Sequence, residues 1–125
     1  MISHIDHLVL TTRSIKQCKE FYSKVLGMKV ETFADGRQAL LFGQQKINLH
    51  EYGHEIAPNA HLPVPGSLDI CLISVEPLSE VEATLQQNSI KIELGPVKRT
   101  GARGEIESIY VRDPDLNLLE IAYYL

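Results

Sequence analysis

The sequence predicts an α+β fold built from two tandem β-α-β-β-β modules, and three observations carry that prediction. Segments with strand and helix character run in the order strand, helix, strand, strand, strand, and the same order then restarts. A stretch rich in proline and glycine, "YGHEIAPNAHLPVPG", separates the two passes. Finally, "DHLVLTT" at the head of the first pass aligns with "LDICLIS" at the head of the second, a shift of 62 residues that sets His7 opposite Asp69. A repeat of this size predicts pseudo-two-fold half-units that bury their faces against each other, with equivalent sites facing one cleft. The expected boundaries are a first module over 1–52, a linker over 53–66 and a second module over 67–125, together one domain.

Each element follows from its local pattern. "IDHLVLTT" crowds apolar residues as a buried strand does. In "RSIKQCKEFYSKVLG", Ile15, Cys18, Phe21, Tyr22, Val25 and Leu26 recur at helical spacing, Ser14 offers an N-cap and Gly27 a stop. "MKVETFA", "QALLF" and "KINLHEY" read as three strands joined through turns at "DGR" and "GQQ". In the second pass "LDICLISV" is a strand, and "EPLSEVEATLQQN" is a helix with Leu78, Val81 and Leu85 on one face. "SIKIEL" reads as a strand, "GPVKRTGARG" as a long loop, and "EIESIYVRD" and "NLLEIAYYL" as the last two strands.

Composition narrows the function classes. The 125 residues are 44% hydrophobic and 22% charged, a folded and not a disordered balance. A net charge of −4 with scattered cations gives no footprint for nucleic acid; the short run "KRTGAR" is too small for a polyanion track. "MISHIDHLVL" lacks a cationic segment followed by an apolar one, so no signal peptide is expected. No apolar run approaches the roughly 20 residues that span a bilayer. Cys18 and Cys71 have no zinc-binding or redox spacing and read as two reduced packing cysteines of a cytoplasmic protein.

Several polar residues do not fit their strands. Glu120 interrupts an otherwise apolar run from Leu118 to Leu125, where an unpaired buried carboxylate costs several kcal/mol. Its counterpart in "KINLHEY" is Asn48 by the tightest alignment, or His50, which shares a strand face with Asn48. His7 opens the first strand and Asp69 the equivalent one. Imidazoles and carboxylates converging on one cleft suit a divalent metal. Taken singly, each has a plainer reading as a surface or strand-edge group.

"IDHLVLTTRSIKQCKEFYSKVLGMKV" together with "GPVKRTGARGEIESIYVRDPDLNLLEIAYY" resembles the vicinal oxygen chelate superfamily over essentially the whole chain. That group contains glyoxalase I (lactoylglutathione lyase), fosfomycin- and bleomycin-resistance proteins and extradiol dioxygenases. "INLHEYG", "HLPVPGSLDICLI" and "GPVKRTGARG" are most similar to its glyoxalase domain-containing members. The resemblance implies an open, cup-shaped mixed sheet around a divalent ion (Ni, Zn, Mn or Fe), and a homodimer. By position it places His7, Asp69 and Glu120 in the ligand set, with Asn48 or His50 in the fourth place. Asn48 or His50 stands where glyoxalases carry Glu, and Asp69 where they carry His. In the turn "DPDLN", Leu116 replaces a frequent Gly and must either avoid positive φ or accept strain.

The function implied is a glyoxalase-like enzyme that chelates adjacent oxygens of a small substrate and moves a proton, with lactoylglutathione lyase as the specific form. Glu120 and His50 are its candidate catalytic groups. Arg99 and Arg103 in the basic loop, with Tyr110 and Asn48, are candidate substrate contacts for an anionic group such as a glutathione arm. Other readings are a metal-free sequestering protein of the bleomycin-resistance kind, an extradiol dioxygenase and a fosfomycin-resistance-type enzyme.

Overall fold

A computed structural model describes every residue from Met1 to Leu125, in two compact units, Met1–Ser67 and Leu68–Leu125. In the first unit, β1 (His7–Thr12) leads into α1 (Ile15–Glu20), followed by β2 (Lys29–Phe33), β3 (Arg37–Phe42) and β4 (Gln45–Glu51). Ser14 caps α1, its side chain accepting from the Gln17 N–H at 3.2 Å. The helical run does not stay α to its end: Phe21–Val25 is a π-helical turn, and Gly27 at φ 72° lets the chain leave it. The sheet order is β1-β4-β3-β2, with β1 parallel to β4 and the other pairs antiparallel.

Strand alternation sorts this sheet into two faces. Leu10, Leu40, Ile47 and Leu49 are buried and share one face by register; with buried Cys18, Phe21 and Tyr22 they make the unit's core. His7, Val9, Asn48 and His50 belong to the opposite face. There the Phe33 ring carries Lys46 Nζ at 4.2 Å and the Arg37 guanidinium at 5.1 Å from its centroid.

The second unit repeats the plan with β5 (Asp69–Ile73), α2 (Leu78–Gln87), β6 (Leu94–Gly101), β7 (Gly104–Arg112) and β8 (Leu118–Tyr124), in the order β5-β8-β7-β6. Leu78, Leu85, Ile109, Val111, Leu119 and Ile121 form its core. The two sheets have the same strand order and the same parallel pair, as the repeat requires. No helix is long and apolar enough to cross a membrane.

Two expectations are corrected here. "SIKIEL" is not a strand up to Glu93: Ile90 donates back to the Leu85 carbonyl, and the backbone reaches β7 only where Glu93 donates to Tyr110. Arg112 grips the Glu93 carboxylate through two nitrogens, at 3.0 and 3.1 Å, and anchors this irregular segment to the end of β7. Conversely, "GPVKRTG" is no loop. It is the body of β6, entered through a register shift between Leu94 and Val97, so Lys98 and Arg99 ride on a paired strand while Arg103 lies in the turn.

The turn before β8 explains its own sequence. Asp113 Oδ1 accepts from the backbone N–H groups of Asp115 and Asn117 at 2.9 Å each, and its Oδ2 accepts from Asn117 Nδ2 at 2.8 Å. Asn117 Oδ1 in turn accepts from the Leu68 N–H at 2.9 Å, tying the turn to the residue before β5. These buried side chains replace backbone partners, which is why "DPDLN" carries three polar residues in a covered place. Leu116 takes the strained option, at φ 69° with its side chain in solvent. Leu116→Gly is therefore expected to raise stability by about 1 kcal/mol, read from urea unfolding; an unchanged or lower midpoint contradicts this.

Candidate functional site

The polar residues singled out in the sequence lie on the sheet faces opposite the helices. Register settles the counterpart of Glu120: Val9 pairs with Asn48 in the first unit and Cys71 with Glu120 in the second. The 62-residue shift carries Val9 onto Cys71, so Asn48, not His50, holds the position of Glu120.

In the first unit His7 is exposed, and its Nδ1 lies 2.8 Å from Asp6 Oδ1. A carboxylate on one ring nitrogen orients the imidazole and leaves Nε2 outward, an arrangement typical of histidine ligands. His7 pairs with Lys46, however, and His50 stands four residues further along β4, about 13 Å by strand rise. The two imidazoles face one side of the sheet but cannot share an ion within this unit.

His50 is buried, and neither of its ring nitrogens has a hydrogen-bond partner; the same holds for Asn48 Oδ1. Burial pushes the His50 pKa below its ordinary 6.5, and the charge of Arg37 pushes the same way, against a smaller opposite pull from Glu55. The ring is therefore neutral at pH 7. A depressed folded-state pKa means that the unfolded chain takes up its proton first as pH falls. Stability contributed at this residue is present above about pH 6.5 and lost as pH drops through the folded-state value. Wild type is expected to lose more unfolding free energy than His50→Gln on going from pH 7.5 to pH 5; parallel profiles contradict it.

In the second unit Glu120 is half-buried and its Oε2 accepts from Ser108 Oγ at 2.6 Å, a short charge-assisted bond. Tyr110 lies directly opposite Glu120 across the β7–β8 ladder and Cys71 beside it on β5. Asp69, one alternation back from Cys71, belongs to the same face, about 7 Å along the strand from the level of Glu120, and its charge acts on Arg112. Cys71 corrects the packing expectation: Cys18 is buried, but Cys71 is exposed. Its partly covered sulfur and then the Glu120 charge push the thiol up to about 11, so it stays protonated at neutral pH.

Arg99 Nε donates to the Tyr110 hydroxyl at 3.0 Å and Arg99 Nη1 to the Lys98 carbonyl at 3.1 Å, with the guanidinium 5.5 Å from the Tyr110 ring centroid. The Arg103 guanidinium lies 4.6 Å from the Tyr124 ring centroid, and its backbone N–H donates to the Tyr124 hydroxyl. Both cations are held by tyrosines on the Glu120 face, with Tyr124 two alternations along β8. Ser108 and Tyr110 alternate on one strand and were expected from sequence to line the same face; the bond from Ser108 to Glu120 is the contact that reading did not supply. Asp6 was missed because it precedes the strand.

No three His, Cys, Asp or Glu side chains of the chain come together as a metal-holding group. Taken unit by unit, each offers a donor of a type metals accept: a carboxylate-oriented imidazole in His7, and in Glu120 a carboxylate with one oxygen held by Ser108.

Comparison with known proteins places these features in a family. A model described as Glyoxalase/Bleomycin resistance protein/Dioxygenase superfamily matches residues 4–121. The chain is 51% identical over 125 residues to Virulence protein STM3117 of Salmonella typhimurium, covering 100% of this chain and 87% of that protein. The crystal structure of that protein has a TM-score of 0.98, covering 100% of this chain and 99% of that one. Glyoxalase domain-containing protein RDO1 of Mycosarcoma maydis is 48% identical over 123 residues, 98% of this chain and 69% of that protein. Lactoylglutathione lyase from Agrobacterium tumefaciens shares the fold, with a TM-score of 0.74 at 19% identity over 98% of this chain and 95% of that one. With the family model covering nearly its whole length, the chain belongs to the Glyoxalase/Bleomycin resistance protein/Dioxygenase superfamily.

Proposed function

We propose that the protein is a glyoxalase-like enzyme that binds one divalent ion through His7, Asp69 and Glu120 and acts on a small substrate. The observation that carries this reading is Glu120. It is a carboxylate in an apolar final strand, its Oε2 is fixed by Ser108, and the groups immediately beside it (Ser108, Tyr110 and Cys71) are uncharged. A cation answers that arrangement. His50 stays out of the ligand set, since it lies too far along β4 to join His7 within the unit.

The reading includes a homodimer, the assembly that the superfamily resemblance implies. The bound ion supplies Lewis-acid polarisation of adjacent substrate oxygens. The protein's own residues do the rest. Ser108 holds the Glu120 carboxylate in one rotamer, leaving its second oxygen open. Neutral His50 is able to accept a proton near pH 7. Arg99 and Arg103, splayed on tyrosine faces, present guanidinium groups to an anionic part of the substrate, of which a glutathione arm is one form.

Lactoylglutathione lyase activity is the specific form to test first. The full-length protein loaded in turn with Ni, Zn, Mn or Fe is expected to consume the hemithioacetal of methylglyoxal and glutathione. No turnover with any of the four removes the glutathione form of the proposal, while metal binding itself is measured separately.

A further inference from the structure

Asn48 and His50 stand two residues apart on β4 and project from the same face. Each keeps only 5% of its surface exposed, yet Asn48 Oδ1 and both His50 ring nitrogens lack partners. Folded proteins rarely leave buried polar side chains unsatisfied, and two adjacent ones on one strand are a shared requirement. The requirement has a definite form. Asn48 Oδ1 only accepts; a neutral imidazole has one N–H to donate, whichever tautomer it adopts. The charged groups acting on His50 are Arg37 and, more weakly and with opposite sign, Glu55.

We infer that this face of β4 is a hydrogen-bonding subsite for an uncharged group with a donor and an acceptor side by side: a primary carboxamide or the edge of a lactam. The N–H of such a group donates to Asn48 Oδ1, and its carbonyl accepts from the His50 N–H. Other polar groups fail on the same count. A carboxylate would set an acceptor against Asn48 Oδ1. An ammonium can donate to Asn48 Oδ1 and to the unprotonated His50 nitrogen, but it leaves the His50 N–H unpaired. An open-chain secondary amide is trans, so its N–H and C=O point in opposite directions and cannot meet both residues. The inference deepens the enzyme reading by naming a group on its substrate, and rests on that reading only for calling the ligand a substrate. The hydrogen-bonding requirement itself involves no metal.

The test is the response of the His50 ring nitrogens, followed by NMR on the full-length protein labelled at histidine, both chelator-treated and metal-loaded. The probes are acetamide, 2-pyrrolidinone, N-methylacetamide and acetate. Acetamide and 2-pyrrolidinone are expected to shift the His50 signals saturably, at millimolar concentrations for ligands this small. N-methylacetamide and acetate are expected to act at least about tenfold more weakly, a difference of the size one mismatched polar group produces. Asn48→Leu, or the smaller Asn48→Ser if the first does not fold, should lose the acetamide response, and Glu120→Gln should keep it. Equal responses to all four probes, or none with or without metal, overturn the inference, as a bridging water between the two side chains would. An amide response in a protein that never holds metal supports the subsite and defeats the enzyme reading alone.

Discussion

Gly95→Ala is expected to destabilise the protein by about 3–5 kcal/mol, enough to unfold most of a marginally stable domain. Gly95 sits at φ 114°, where an L side chain is strained. A Cβ there would also stand 2.4 Å from the Ser108 carbonyl oxygen and 3.0 Å from Ile109 Cα. Both are main-chain atoms of the central strand β7, so no side-chain rotation relieves the clash. Either β6 lifts away from β7, losing the pairs around Leu94–Tyr110 and Val97–Ser108, or β7 shifts and takes Ser108 from Glu120. Gly36→Ala is the control. Gly36 also has positive φ, 87°, but open space around its Cβ position, so it should cost only about 1–2 kcal/mol. Urea unfolding of the two variants side by side checks this, and equal losses contradict the steric account.

Glu120→Gln is the second large effect. The amide keeps the size of the carboxylate and can still accept from Ser108, so the fold is expected to survive. What is lost is the negative charge and a ligand oxygen of full basicity. Metal-dependent turnover should fall by at least about 10²-fold, the scale on which removal of key electrostatic groups is felt. Thermal unfolding of the metal-free protein should change little. Ser108→Ala should act in the same direction but less, by about tenfold or more, because it frees the orientation of Glu120 without removing the charge. Full activity in Glu120→Gln would break the assignment.

The architecture was legible because it is written in periodicity. Apolar crowding in "IDHLVLTT" and "LDICLISV", helical spacing from Ile15 to Leu26, and the repeated order of elements all reflect burial, although β1 buries one face only, with Val9 exposed. Glu120 was legible for the opposite reason, as a charge that breaks such a pattern. "GPVKRTG" was misread because two glycines and a proline imitate a loop, and "SIKIEL" because its alternation imitates a strand that begins only at Leu94. In the structure Gly95 is instead the point where β6 crosses close over β7. Leu116 could be read only as a choice between two conformations, since φ at one residue is set by the Asp113–Asn117 hydrogen bonds around it. Cys71 looked like a packing residue because its neighbours Ile70 and Leu72 are apolar. Strand alternation turns it to the other face, next to Glu120. The separation of His50 from His7 lay wholly in the β1–β4 register, which no local pattern encodes.

The central claim is that this donor set holds a divalent ion, and metal content measures it most directly. The full-length protein is stripped with chelator, reloaded separately with Ni, Mn, Zn or Fe, dialysed, and analysed for bound metal beside His7→Ala and Glu120→Ala. The account predicts stoichiometric retention of at least one of the four ions by wild type and its loss in both variants. Wild type retaining no more metal than the two variants, for every ion, would contradict it.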